Sequence, residues 1–246
     1  GLRGQFRHYQ PETDLRQPAF RQFGVLALPL VAGVLFSIIR QFMDNRFTSG
    51  LSEGSLSALK YAKTLCDIPV QFFPYAFGIA LFPYLADIAL SGDRDRLRGM
   101  LMSATRIMLL IFVPLGIALI AMSSQLVHGV FGSAKFGEQS AQLTTAPLQI
   151  YAIYMLVGAL EIIVLQFFFA MSDTLRPTIV GMAIVPVHIA IAYFGINLWP
   201  SAAAIALALL LSKGTKVIVL YGMMRKKLGS LEVTRTLALL GRVLVA

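Results

Sequence analysis

Six apolar runs set the limits on what this chain can fold into. They cover residues 24–43, 68–90, 107–130, 148–171, 178–198 and 202–224. Each is continuous over about 20 residues, the length an α-helix needs to cross the hydrocarbon of a bilayer. A membrane barrel would read as alternating segments of about ten residues, and that pattern is absent. The expected fold is therefore all-α: a polytopic membrane bundle of about six transmembrane helices. Composition agrees. Hydrophobic residues make up 57% of the 246 and charged residues 13%, whereas a soluble domain carries about a quarter charged.

Charge alternates between the loops. Arg3, Arg7, Arg16 and Arg21 precede the first run. Arg94, Arg96, Arg98 and Arg106 lie between the second and third, Arg176 between the fourth and fifth, and Arg225, Lys226, Lys227 and Arg235 after the sixth. The intervening loops are poorer in basic residues: Arg46 and Lys60 in the hairpin after the first run, Lys135 after the third, and none in the last. The basic side faces the cytoplasm, so the chain enters from there. Trp199 and Tyr193 fall at an expected outer boundary and Tyr221 at an inner one, where amphipathic rings sit. The net charge of +9 is read as this bias plus attraction to anionic membrane lipids. No basic run is interleaved with aromatics, so nucleic acid is not an expected partner. The single cysteine, Cys66, excludes an internal disulfide and a cysteine metal site.

Three divisions follow: 1–23, a cytoplasmic linker or amphipathic surface segment; 24–227, a six-helix transmembrane lobe; and 228–246, the start of a further, truncated helix. The chain opens on Gly1 and stops inside LALLGRVLVA, and is expected to be part of a longer protein. One stretch points past an inert anchor. Residues 47–86 form a polar hairpin leading into an apolar helix interrupted by Pro69, Pro74 and Pro83, with Lys60, Lys63 and Asp67 at its mouth. Proline-interrupted spans with charged entrances are typical of transporters.

Three segments carry a family likeness. DNRFTSGLSEGSLSALKYAKTL is followed by IPVQFFPYAFGIALFPYLA. Further on come VPLGIALIAMSSQLVHGVFGSAKF and FFFAMSDTLRPTIV. In this order and spacing the chain resembles the MurJ/MviN family, lipid II flippases of the multidrug/oligosaccharidyl-lipid/polysaccharide exporter (MOP) superfamily. The resemblance implies the C-terminal lobe of a transporter, roughly spans seven to twelve, with a missing N-terminal lobe as its partner. It implies the bacterial cytoplasmic membrane as location and a lipid-linked oligosaccharide of the undecaprenyl diphosphate type as substrate. No enzyme activity and no cofactor are implied. One departure stands out. The family pattern at the start of span eight ends in an arginine that faces the central cavity, whereas this chain reads Tyr61, Ala62, Lys63, Thr64.

A flippase for such a substrate needs cations to replace water around phosphates, and charges inside a span are functional candidates by default. Arg40 and Asp44, four residues apart, share a helix face as a cavity cation with its orienting acid, or as a local ion pair. Lys63 and Lys60 are candidates to attract the phosphates, with Asp67 as counter-ion; alternatively they are interfacial lysines that fix helix depth. Glu161, deep in the fourth run, needs a partner or a proton. Lys213 and Lys216 in the sixth could supply the partner, as an ion- or proton-coupling site or as a static pair. Asp173 is placed to cap the helix starting near Pro177. His128 and His188 are isolated in the sequence, so no metal site is expected. Gly33, Gly78, Gly116, Gly158 and Gly181 are read as close-packing positions. Two other readings remain open: an exporter of another substrate (a polysaccharide-repeat lipid, or cation-coupled drug efflux), and a non-transporting membrane scaffold.

Overall fold

The computed structural model describes the backbone of residues 18–131, 138–231 and 241, and side chains within 28–129 and 141–231. Every regular element among them is a helix. In order these are α1 (Pro18–Thr48), α2 (Ser55–Ser91), α3 (Arg94–Ala121), α4 (Ser123–Phe131), α5 (Glu138–Ala170), α6 (Leu175–Leu198) and α7 (Ala202–Leu228). Five of them, α2, α3, α5, α6 and α7, are long and apolar enough to cross a membrane by their described residues. The first expected span, 24–43, lies within α1, whose side chains are described only from residue 28. Most of the segment 1–23, Lys135, and the expected truncated helix beyond residue 231 (apart from 241) lie outside the described residues.

Two boundaries differ from expectation. The prolines do not break the second span: α2 runs unbroken through Pro69, Pro74 and Pro83 for 37 residues. Each proline removes one backbone donor, and an apolar surrounding offers the remaining polar groups no better partner than the helix. The polar stretch from Ser55 is thus the first turns of the same helix. The third run is divided. Its helix ends at Ala121, and α4 resumes at Ser123, where the Ser123 hydroxyl donates to the Ile120 carbonyl at 3.0 Å. The polar run Ser123–Ser124–Gln125 competes locally for backbone groups.

Helix α5 is the centre of the bundle. It packs most extensively on α2, then on α7, α3 and α4, and buries Tyr151, Met155, Ile163, Val164, Phe167 and Phe168. Helix α6 packs on α7, and α1 on α6, so α1 is the outermost element of that side. Small residues set the close approaches. A Cβ at Gly116 of α3 would lie 3.2 Å from the Ala152 carbonyl oxygen of α5, a backbone atom with no rotamer to yield. Gly116→Ala should therefore destabilise the bundle by about 1–3 kcal/mol, read as a lower midpoint in thermal unfolding of the detergent-solubilised protein. An unchanged midpoint would mean that α3 shifts freely against α5.

The turns expected on the cytoplasmic side gather at one end. Asp173 pairs with Lys227 and, at 3.4 Å, with Arg176, and its Oδ1 accepts from the Arg176 N–H at 3.3 Å. It thus caps α6, as expected, and also ties the α5–α6 turn to the end of α7. A cleft at the same end is lined by Gly92, Arg94, Lys226 and Lys227. Trp199 and Tyr193 stand exposed at the far end of α6. The hydroxyl of Tyr221 meets that of Thr105, 2.8 Å away across α3 and α7.

Candidate functional site

A cleft of about 270 Å³ opens between α1, α5, α6 and α7. It exists because of small residues and a proline on α1 and α6: Gly33, Ser37, Pro177, Thr178 and Gly181 form part of its wall. A Cβ at Gly181 would come within 3.3 Å of the Lys216 ammonium, so the glycine leaves room for that charge. Three cations line the cleft, Arg40 from α1 and Lys213 and Lys216 from α7.

Two carboxylates hold these cations. Glu161 of α5, 6% exposed, accepts from Lys213 at 2.7 and 2.9 Å and from Lys216 at 2.6 Å. Pairing of Glu161 with a lysine of α7 was one of the two expected arrangements; the structure gives it both lysines. Asp44 of α1 accepts from Arg40 at 2.6 Å through Oδ2. Three cations and two carboxylates leave the cluster with an excess of one positive charge when His188 is neutral. That sign suits an anion.

The expected residues fall into two groups. Arg40, Asp44, Glu161, Lys213 and Lys216 are brought together around this cleft. Lys63 and Lys60 do not line it. Lys63 pairs with Asp67 one turn on along α2, and its ammonium sits 5.8 Å above the Tyr154 ring of α5. Lys60 is exposed, and its carbonyl accepts from the Thr64 hydroxyl at 2.9 Å. Thr64, at the position where the family pattern has its cavity arginine, is thus tied back to its own helix.

Sequence reasoning missed His188. It is fully buried, with Nε2 2.6 Å from Asp44 Oδ1 and Nδ1 3.0 Å from the Ser212 hydroxyl. It therefore joins α1, α6 and α7. An imidazole inside an apolar span was the available signal. Its partners, 144 and 24 residues away in the chain, could not be read from spacing. Among the described residues no group of three or more His, Cys, Asp or Glu side chains could hold a metal ion.

Comparison with known proteins bears on the whole arrangement. The chain is 27% identical over 219 residues to a probable lipid II flippase MurJ of Borreliella burgdorferi, covering 89% of this chain and 43% of that protein. It is 24% identical over 195 residues to a probable lipid II flippase MurJ of Bdellovibrio bacteriovorus, covering 78% and 37%. The chain thus spans less than half the length of these relatives. In fold it resembles a solved lipid II flippase MurJ in an inward closed conformation (TM-score 0.76, 19% identity, 92% of this chain and 47% of that one). It also resembles an outward-facing multidrug transporter of the MATE family in the MOP superfamily (TM-score 0.70, 15% identity, 82% and 44%). The family model described as lipid II flippase MurJ matches residues 2–246, and the chain accordingly belongs to that family of multi-pass inner-membrane proteins.

Proposed function

We propose that this chain is one lobe of a flippase that carries lipid II, the lipid-linked peptidoglycan precursor, across the cytoplasmic membrane by alternating access. The carrying observation is the cation-lined cleft, with Arg40 on α1 and Lys213 and Lys216 on α7, a helix long and apolar enough to cross a membrane, in a chain of the MurJ family. Cations held at such depth are costly unless they face a wet, anionic or paired environment. The partners of this reading are an undecaprenyl diphosphate-type substrate, the surrounding lipids and a second lobe of the same protein. The reaction moves a lipid and breaks no bond, so no catalytic residue is assigned.

Size decides the division of labour. A cleft of about 270 Å³ falls below the range of about 300–1,000 Å³ that encloses a drug-sized ligand. It accommodates a phosphate-sized anion and not a disaccharide-peptide headgroup. The headgroup cavity therefore needs the second lobe, and this lobe supplies one charged wall. Lys63 and Lys60 on α2 are proposed as further phosphate contacts outside the cleft. Glu161 with Lys213 and Lys216 is proposed to hold α5 and α7 in register and to keep two ammoniums aimed at the cleft.

The test is a lipid II flipping assay in cells depleted of their own flippase and supplied with the full-length gene, intact or with Lys63→Ala. The intact gene should restore flipping. Lys63→Ala, at equal membrane abundance, should reduce it about tenfold or more, the range for losing a charged contact of about 1.5–3 kcal/mol. No rescue by a well-inserted intact protein would overturn the lipid II reading in favour of another MOP-type substrate or a scaffold. Equal rescue by both would keep the function and reduce Lys63 to an interfacial anchor.

A further inference from the structure

We propose that the buried Asp44–His188–Ser212 chain is a proton-binding site, and that the bound proton holds α1 against α6 and α7. This inference goes beyond the flippase reading and does not depend on the identity of the substrate.

Hydrogen-bond accounting is the first argument. The Ser212 hydroxyl lies 3.0 Å from His188 Nδ1 and 3.1 Å from the Leu209 carbonyl oxygen, and it has one proton to donate. With a neutral imidazole carrying its hydrogen on Nε2, that hydrogen goes to Asp44. Nδ1 must then accept, and the Ser212 proton turns toward it. With an imidazolium, Nδ1 donates to the Ser212 oxygen, and the Ser212 proton turns to Leu209. Both states leave every ring nitrogen satisfied. The switch between them is one hydroxyl rotation, so neither state suffers the penalty of an unpaired buried group.

The second argument is competition for one carboxylate. Asp44 has two partners, Arg40 on its own helix and His188 on α6. The bond to Arg40 is internal to α1 and ties it to nothing else. The bond to His188 crosses the interface. A charge-assisted hydrogen bond is about twice as strong as a neutral one, so a proton on His188 strengthens the contact that docks α1. The opposite face of α1 gives little support, since Leu28, Val34, Leu35, Ile38 and Phe42 are exposed.

The charged and titratable groups facing the site are Arg40 and Asp44 from α1, Lys213 and Lys216 from α7, and Glu161 and the buried Tyr151 phenol from α5; α6 contributes no other charged residue between Arg176 and Leu198. The added proton raises the net charge of this cluster from one to two. That repulsion opposes binding and keeps the proton exchangeable. Because the proton strengthens the one bond that ties Asp44 to α6, docking is favoured at low pH and weakens as pH rises.

The experiment places spin labels at Leu35 on α1 and Ile179 on α6, both exposed, in the full-length protein in lipid nanodiscs. Electron–electron distances are compared between pH 5 and pH 8. The short-distance population should rise several-fold at pH 5. His188→Gln should abolish the dependence. Ser212→Ala should keep it but move its midpoint to lower pH, because both states lose a bond at Nδ1 and the charge-assisted one lost by the imidazolium is the stronger. Equal populations at both pH values in the otherwise native protein would overturn the proposal, without recourse to any variant of the site. So would a pH response that survives in His188→Gln. Should that variant fail to fold, an unshifted midpoint in Ser212→Ala has the same force.

Discussion

Glu161→Gln is expected to cause the largest loss of stability of any single change in this lobe. The carboxylate holds two ammoniums, with Lys213 at 2.7 Å and Lys216 at 2.6 Å. A glutamine keeps the shape and removes the charge, leaving two cations inside the bundle with no counter-ion. Breaking a buried ion pair from one side costs about 3–5 kcal/mol, a large share of the roughly 5–15 kcal/mol that holds a domain together. The protein should show a sharply lower unfolding midpoint and a reduced amount in the membrane. A triple change to methionine at Glu161, Lys213 and Lys216 should recover most of that loss, because it removes the charges together. Near-native stability of Glu161→Gln alone would show that both ammoniums reach water or headgroups along their stems.

Arg40→Gln should instead leave the fold intact and remove transport. Asp44 keeps His188 as a partner at 2.6 Å, so the carboxylate is not stranded. The cleft loses one of its three cations, and with it the excess positive charge. Removing one member of a buried charged contact to a ligand costs about 2–5 kcal/mol, so flipping should fall about 30-fold or more at unchanged membrane abundance. Arg40→Lys should restore part of it, since an ammonium supplies the charge without the planar fork. This expectation rests on the flippase reading. If transport survives Arg40→Gln at the native rate, the substrate anion does not use the cleft. The two variants thus separate scaffold from site: the first lowers abundance, and the second lowers activity per molecule.

Most of the candidate charges were legible from their depth alone. Glu161, Lys213 and Lys216 sit in apolar runs where water cannot solvate them, so their pairing followed from solvation cost. Arg40 and Asp44, four apart, had to meet on one helix face. Asp173 announced its capping role by its place before Leu175 and Pro177. Other readings failed for identifiable reasons. Three prolines in α2 looked like breaks, yet the helix continues, because an apolar environment leaves the backbone no alternative partner. His188 looked isolated because its partners lie on α1 and α7, far along the chain.

The sequence by itself determined the class of fold, the order of the spans, the basic end of the bundle and the family likeness. The first three follow from the length of apolar runs and the distribution of arginine and lysine, which are one-dimensional properties read directly by a bilayer; the likeness rests on three motif-bearing segments in order. Only the tertiary structure decided that Arg40 shares a cleft with Lys213 and Lys216 while Lys63 does not, and that His188 closes the contact between α1, α6 and α7. The physical reason is that lipid tails are as apolar as a helix–helix interface. A span is hydrophobic around its whole circumference, so no polar stripe marks which face meets a neighbour and which meets lipid. Close packing at Gly116 and the small residues beside the cleft settle that choice, and they act only once the helices are in place.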